Sequence, residues 1–268
     1  MATIQKLNNT TLSASGLTKL YKDPLVNDGT IVMYDFLRTG TWNGENPSSS
    51  NTVVGDLSLN ENDGTVVNPA AGATFSDGFY FGAGNTYITL PSLTLTSKSL
   101  LITLWYKWTE AQVASTVGIF GNLNNSINDG QFAFYAGTTH GTTLKARVFS
   151  DLGSLTGMNE TLRASQIVGD IVQASFIVDI GSGETTFREV YYDDSIGINI
   201  KDTVTVASAN GLNASIDDLA IGAMNASGDR LNFRGKVYRV SIEDLDVSGN
   251  DALLQIKADW NQNRTRFS

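Results

Sequence analysis

Short runs in which apolar and polar residues alternate follow one another along this chain, and pairs of Asp, Asn or Ser with Gly stand between them. Period two is the signature of a strand that buries one face, because successive side chains point to opposite sides of the sheet. The runs include Thr30–Leu37, Gly64–Asn68, Phe79–Phe81, Tyr87–Pro91, Leu100–Trp108, Gly118–Gly121 and Gln131–Ala136. Leu144–Phe149, Val172–Ile180, Phe187–Tyr192, Gly197–Val206, Leu219–Ile221 and Lys236–Ile242 continue the series. Between them lie Asp28-Gly29, Asp63-Gly64, Asp77-Gly78, Asp129-Gly130, Asn210-Gly211 and Ser227-Gly228. Asn and Asp tolerate positive φ and Gly adopts it without a steric cost, so such pairs close hairpins and tight loops. Strands at this spacing predict an all-β sandwich or barrel. No βαβ rhythm is present, which argues against a nucleotide-binding α/β sheet.

The run from Leu100 to Trp108 predicts how the layers are arranged. Leu100, Ile102, Leu104, Tyr106 and Trp108 fall on one face, which should be core. Leu101, Thr103, Trp105 and Lys107 fall on the other, so this strand should lie mid-sheet with its second side partly covered. One helix is expected, at Asn250–Trp260, with Leu253, Ile256 and Trp260 on its apolar stripe and Ser248 or Asn250 as its cap. Residues 1–28 read as an N-terminal arm and residues 29–268 as one sandwich domain. The arm carries Leu12, Leu17, Leu20, Tyr21 and Leu25, apolar groups that suit it to a neighbour.

Composition excludes several classes. The 268 residues contain no Cys, so disulfide scaffolds, thiolate zinc sites and cysteine nucleophiles are ruled out. Lys and Arg number 18 against 27 Asp and Glu, a net charge of −9, which offers no basic face to a nucleic acid. Met1–Pro24 has no apolar core of a secretory signal, and no apolar stretch is long enough to span a bilayer. The single histidine, His140, sits at an expected hairpin tip and cannot form the common zinc sites alone. No G-x-S-x-G elbow and no P-loop occurs. Asn122, Asn124, Asn125, Asn128 and Asp129 crowd one loop, and Asp193-Asp194 and Asp217-Asp218 are acidic doublets; these oxygens are the candidates for calcium. Glu243-Asp244-Leu245-Asp246 reads either as a solvated loop or as a cation site.

Several motifs, in order, resemble a known superfamily. Thr30–Phe36 resembles its first strand, and Asn62-Asp63-Gly64-Thr65-Val66 its early turn. Phe79–Pro91 is similar to its "l-x-F-x-G-x-x-x-y-v-x-l-p" segment, and Leu100–Lys107 to "f-t-l-s-f-W-v-k". Val190-Tyr191-Tyr192-Asp193 resembles "l-Y-v-D-G", with Asp194 in place of the Gly. Leu219–Gly222 and Phe233–Val240 resemble the closing motifs. The chain thus resembles the concanavalin A-like lectin/glucanase superfamily in its laminin-G-like form. The resemblance implies two antiparallel sheets in a jelly roll with a short C-terminal helix, and a concave face that many members use for glycans.

Activity does not follow from fold. The superfamily's glucanases place carboxylates on one strand face as E-x-D-x-x-E, where one acts as nucleophile and another as acid. Only Glu61-Asn62-Asp63 matches, Val66 stands where the last Glu should be, and the segment lies at a turn. The chain is therefore read as non-catalytic. The closing strand has Lys236-Val237-Tyr238 where the family often has adjacent acidic residues, so no cofactor is expected and calcium stays the one open candidate. For a ligand, the polar loop Arg38–Asn51 offers Trp42 for stacking with Asn43 and Glu45 for hydroxyls; the alternative is that Trp42 packs the loop onto the sandwich. The expected role is a structural or adhesive subunit on the surface of a virus particle, a bacteriophage decoration or tail-fibre protein. Its partners would be other virion proteins, copies of itself through the arm, and cell-surface glycans. The alternatives are a soluble carbohydrate-binding lectin, extracellular or cytoplasmic, and, third, a glycoside hydrolase.

Overall fold

Strand β7 (Ser99–Trp108) carries the alternation that organises the molecule. Leu100, Ile102, Leu104, Tyr106 and Trp108 all enter the main apolar core. Leu101 and Trp105 point the other way, into two separate clusters on the outer face of the sheet. This is a computed structural model, and it describes residues 23–69, 72–82, 84–91, 93, 95, 97–109, 117–122, 132–136, 143–149, 155–161, 171–180, 185–193, 197–206, 218–224 and 233–267.

The strands before β7 are β1 (Thr30–Asp35), β2 (Val53–Val54), β3 (Gly64–Val67), β4 (Thr74–Phe75), β5 (Phe79–Phe81) and β6 (Tyr87–Thr89). After it come β8 (Val117–Gly121), β9 (Phe132–Ala136), β10 (Thr143–Phe149), β11 (Leu155–Thr161) and β12 (Ile171–Ile180). β13 (Thr185–Asp193), β14 (Gly197–Val206), β15 (Ala220–Ile221) and β16 (Gly235–Asp244) complete the set, followed by α1 (Leu245–Ser248) and α2 (Ala252–Asn263). They form two eight-stranded sheets. The first runs β14-β13-β12-β7-β16-β5-β4, with β1 also paired to β16; the second runs β11-β10-β9-β8-β15-β6-β3-β2. Every pairing is antiparallel. The all-β two-sheet sandwich with a short C-terminal helix, expected from the alternation, is the fold observed.

Between the sheets the core is aromatic. Phe79 touches Phe36, Trp42 and Phe81 at ring-centroid distances of 5.3, 5.3 and 4.9 Å. The Trp42 contact is edge-to-face and the other two are tilted; aromatic pairs add roughly 0.5–1.5 kcal/mol each beyond the area they bury. Two glycines are fixed by close approach. A Cβ on Gly118 would lie 2.1 Å from the Met224 nitrogen, and one on Gly29 would lie 2.3 Å from the Asp244 carbonyl oxygen.

Two expectations need correction. The expected arm of residues 1–28 ends too late. Asp23 is buried, and Val26 packs with Met33 and Leu57, so residues 23–28 belong to the sandwich. The terminal helix starts from Asp251, whose carboxylate accepts the Leu254 N–H at 2.9 Å; neither Ser248 nor Asn250 caps it. Its buried residues are Ala252, Ile256, Asp259 and Asn263, a stripe turned by about one residue from Leu253, Ile256 and Trp260. The reason is the surface beneath it: Gln173 donates to the Ile256 carbonyl and to Asp259, and Arg239 pairs with Asp259, which turns that polar side of the helix to the sheet.

Candidate functional site

Trp42 does not offer a stacking face. It is 2% exposed, lies edge-on to Phe79, and its indole N–H donates to the Glu45 carbonyl at 2.7 Å. Of the two readings of that loop, packing is the one the geometry takes. Asn43 and Glu45 remain exposed, but the Asn43 amide is paired with that of Asn51 at 2.9 Å and accepts the Glu45 N–H at 3.1 Å. The loop's polarity is thus spent on holding its own turn.

The carboxylate motifs are also built into the backbone. Asp63 accepts the Asp56 N–H at 2.8 Å. Asp56, itself buried, accepts N–H groups of Met33, Ser58 and Asn62 at 2.8, 2.9 and 3.0 Å. In the last strand's exit, Asp244 caps α1 through the N–H groups of Asp246 and Val247. Glu243 accepts the amides of Asn27 and Asn250 at 3.1 and 2.7 Å. Among the described residues no group of three or more His, Asp or Glu could hold a metal ion. Asn124, Asn125, Asn128, Asp129, His140, Asp194 and Asp217 lie outside the described residues.

The arrangement most suited to a ligand lies on the outer face of the first sheet, where a bulge creates it. Between Val237 and Arg239 the register of β16 against β7 shifts by one. Val237 and Val240 both enter the core, and Tyr238 and Arg239 both turn outward. Arg239 thereby comes to lie beside Trp105, fully buried. Its Nη1 donates to Asp23 at 3.1 Å and to Asp35 at 2.8 Å, and Nη2 to the other Asp23 oxygen at 3.1 Å. Its Nε is ion-paired with Asp259 at 3.0 Å. Arg38 pairs with Asp23 at 2.8 Å, and Arg266 with Asp35 at 2.9 Å. Three guanidinium groups and three carboxylates balance in charge, which is what a buried cluster requires. Burial alone would raise the Asp23 carboxyl, but the hydrogen bonds and charge of Arg239 and the Leu25 N–H outweigh it and hold it below the ordinary range. Burial likewise disfavours the charged form of Arg239, yet Asp259, Asp23 and Asp35 keep it firmly protonated.

Asp259 carries this order to the surface. One oxygen accepts the Asn263 amide at 2.8 Å; the other accepts the Gln173 amide at 2.8 Å and the Trp105 indole N–H. The next residue in the helix, Trp260, lies flat on Trp105, with centroids 5.2 Å apart and planes 15° from parallel. Phe267 closes the far side, edge-on to Trp105 at 5.1 Å and stacked on Tyr238 at 5.2 Å. Trp105, Ile171, Trp260, Arg264, Thr265 and Phe267 line an open cleft of about 430 Å³. Trp260 is half-buried, and Arg264 and Thr265 stand exposed at the rim. A second, smaller cavity of about 20 Å³ under α2, lined by Thr103, Ser241, Glu243 and Gln255 among others, has room only for water. Trp260 was legible in the sequence as a helix-stripe residue. Its place at a cleft depends on the one-residue turn of α2 and was not.

No protein-family sequence model matches the chain, and no curated protein matches it by sequence. Solved structures do. The receptor-binding domain of botulinum neurotoxin mosaic serotype C/D superposes with a TM-score of 0.56 at 10% identity, over 89% of this chain; this chain spans only 52% of that one. Trypanosoma rangeli sialidase gives 0.55 at 11% identity, over 90% of this chain and 34% of the sialidase. Domain 4 of AbnA, an extracellular GH43 arabinanase from Geobacillus stearothermophilus, solved in complex with arabinotriose, gives 0.51 at 15% identity. That match covers 85% of this chain and 97% of the domain. At such identities the likeness is one of architecture alone: the chain shares a two-sheet β-sandwich fold with these domains.

Proposed function

We propose that this chain is a non-catalytic carbohydrate-binding sandwich and that sugar is held in the Trp260 cleft. The observation that supports this most is the half-exposed indole of Trp260, backed by buried Trp105 and rimmed by Arg264 and Thr265. A pyranose or furanose ring has an apolar C–H face and a belt of hydroxyls. The indole face accommodates the first, and the rim guanidinium and hydroxyl reach the second. The cleft's volume lies within the range of small-ligand sites. That AbnA domain 4 was solved with arabinotriose fits the same use of the fold. The Glu61–Asp63 carboxylates lie in the irregular segment before β3, outside any strand, and Asp63 is engaged by the Asp56 N–H, which favours a binding role over hydrolysis.

The test is binding of arabinotriose, cellotriose and maltotriose by calorimetry, before and after Trp260→Ala. At least one sugar should bind, and the substitution should weaken it about ten-fold or more, the loss of an aromatic contact worth roughly 1.4 kcal/mol or above. Unchanged affinity in the variant, or no binding of any oligosaccharide on a wider glycan panel, counts against the reading.

The finer proposal is that the module works as a virion subunit, joined to its particle through the residues before Asp23. What supports it is the firm anchorage of the chain at Asp23, which Arg239 and Arg38 hold in the sandwich. Removing residues 2–21 should leave a cooperative β-domain that no longer self-associates in sedimentation velocity. Equal association with and without those residues would remove the support for a joining role.

A further inference from the structure

The three aromatic walls of the cleft converge on one buried guanidinium. Trp105 is tied to Arg239 through Asp259, which accepts the indole N–H with one oxygen and pairs with Arg239 Nε through the other. Trp260 follows Asp259 in α2 and rests on Trp105. Phe267 is tied through Arg266, which donates to Asp35 at 2.9 and 3.1 Å, and Asp35 in turn accepts from Arg239. The remaining two hydrogen bonds of Arg239 go to a residue that lines none of the cleft, Asp23.

We infer that Asp23 is a positioning residue of the cleft: by fixing Arg239 it sets the Trp105–Trp260 platform. A guanidinium is planar and its donors are rigidly forked, so it cannot re-aim toward one carboxylate without turning away from another. When Asp23 holds both Nη atoms, the plane is defined and Nε stays within ion-pair distance of Asp259. When Asp23 is withdrawn, a buried cation is left with two carboxylates, one of them shared with Arg266. The guanidinium then turns further onto Asp259 or draws in water, and either shift moves Asp259 relative to the Trp105 N–H. Trp260, adjacent in the helix, moves with it. The coupling is reciprocal: whatever is bound on the platform favours the docked form of Asp23.

The ligand half of this inference rests on the proposed sugar site; the positioning half does not, and the test separates them. Trp42, Trp105 and Trp108 are 2%, 0% and 1% exposed, so collisional quenching by acrylamide reads Trp260 almost alone. The full chain carrying Asp23→Asn is compared with the unaltered chain and with Asp56→Asn, which loses a buried carboxylate unconnected to Arg239. Asp23→Asn should raise the quenching constant of the folded protein and weaken arabinotriose, cellotriose or maltotriose binding roughly five-fold or more, the low end of coupling between linked sites. Asp56→Asn should change neither. If Asp23→Asn fails to fold, Arg38→Ala removes the outer partner of Asp23, with its longer 3.7 Å pairing to Asp35, and should shift quenching in the same direction by less. Quenching unchanged in Asp23→Asn, or shifted equally by Asp56→Asn, overturns the positioning role. Quenching that shifts while no sugar binds to any form keeps Asp23 as a positioning residue and rejects the sugar site.

Discussion

Arg239→Met should cost about 3–5 kcal/mol of folding free energy, the penalty for leaving buried carboxylates without their cation. For a chain of this size that corresponds to a fall in melting temperature of roughly 6–20 °C. The residue is 1% exposed and joins Asp23, Asp35 and Asp259, so its removal leaves three acids facing one another with only Arg38 and Arg266 at their outer sides. Methionine fills much of the same volume, which separates the electrostatic loss from a cavity. Chemical denaturation measures the effect. Pairing Arg239→Met with Asp259→Leu should cost less than the sum of the two single changes, because each leaves the other's charge uncompensated. A loss below about 1 kcal/mol would mean that water already serves these carboxylates.

Trp42→Ala is expected to be of similar size, about 3–5 kcal/mol, for a different reason. The ring is enclosed against Phe79 and closes its own loop through the Glu45 carbonyl, so truncation opens a cavity and frees a carbonyl at once. The folded fraction should bind oligosaccharide as the unaltered chain does, since the indole presents no face to solvent. Urea titration and calorimetry in parallel check both halves. Stability within about 1 kcal/mol of the unaltered chain together with lost sugar binding would return the site to the Arg38–Asn51 loop.

What the sequence conveys and what it withholds divide along local and non-local lines. In β7 each side chain faces where strict alternation puts it, because the strand is regular and flanked on both sides. The same rule misplaces Arg239. Alternation counted from Val237 would set the two on one face, and a single extra residue in β16 separates them. The break is visible only as Val237 and Val240 standing three apart where core residues should stand two apart. Asp23 could not be found at all by pattern: it lies in the mixed stretch Leu20–Val26, and its partner Arg239 is 216 positions away. At Trp42 the polar sequence neighbours left stacking and packing both open, and Phe79, 37 positions away in the chain, decides for packing. The helix was legible, its rotation was not, because the helix's own apolar pattern says nothing of the polar sheet surface it meets.

The charge cluster also decides how the sandwich can be carried by whatever it is attached to. Asp23, near the start of the described chain, and Arg266, near its end, both bond to the single pair Arg239 and Asp35. Asp23 and Arg266 therefore lie side by side, and neither has to cross a sheet to reach the other. A domain with neighbouring ends can hang from a host chain as a pendant, spliced in without spreading its flanks. A pull applied through Asp23 and Arg266 would reach that one guanidinium cluster before the strands of the second sheet.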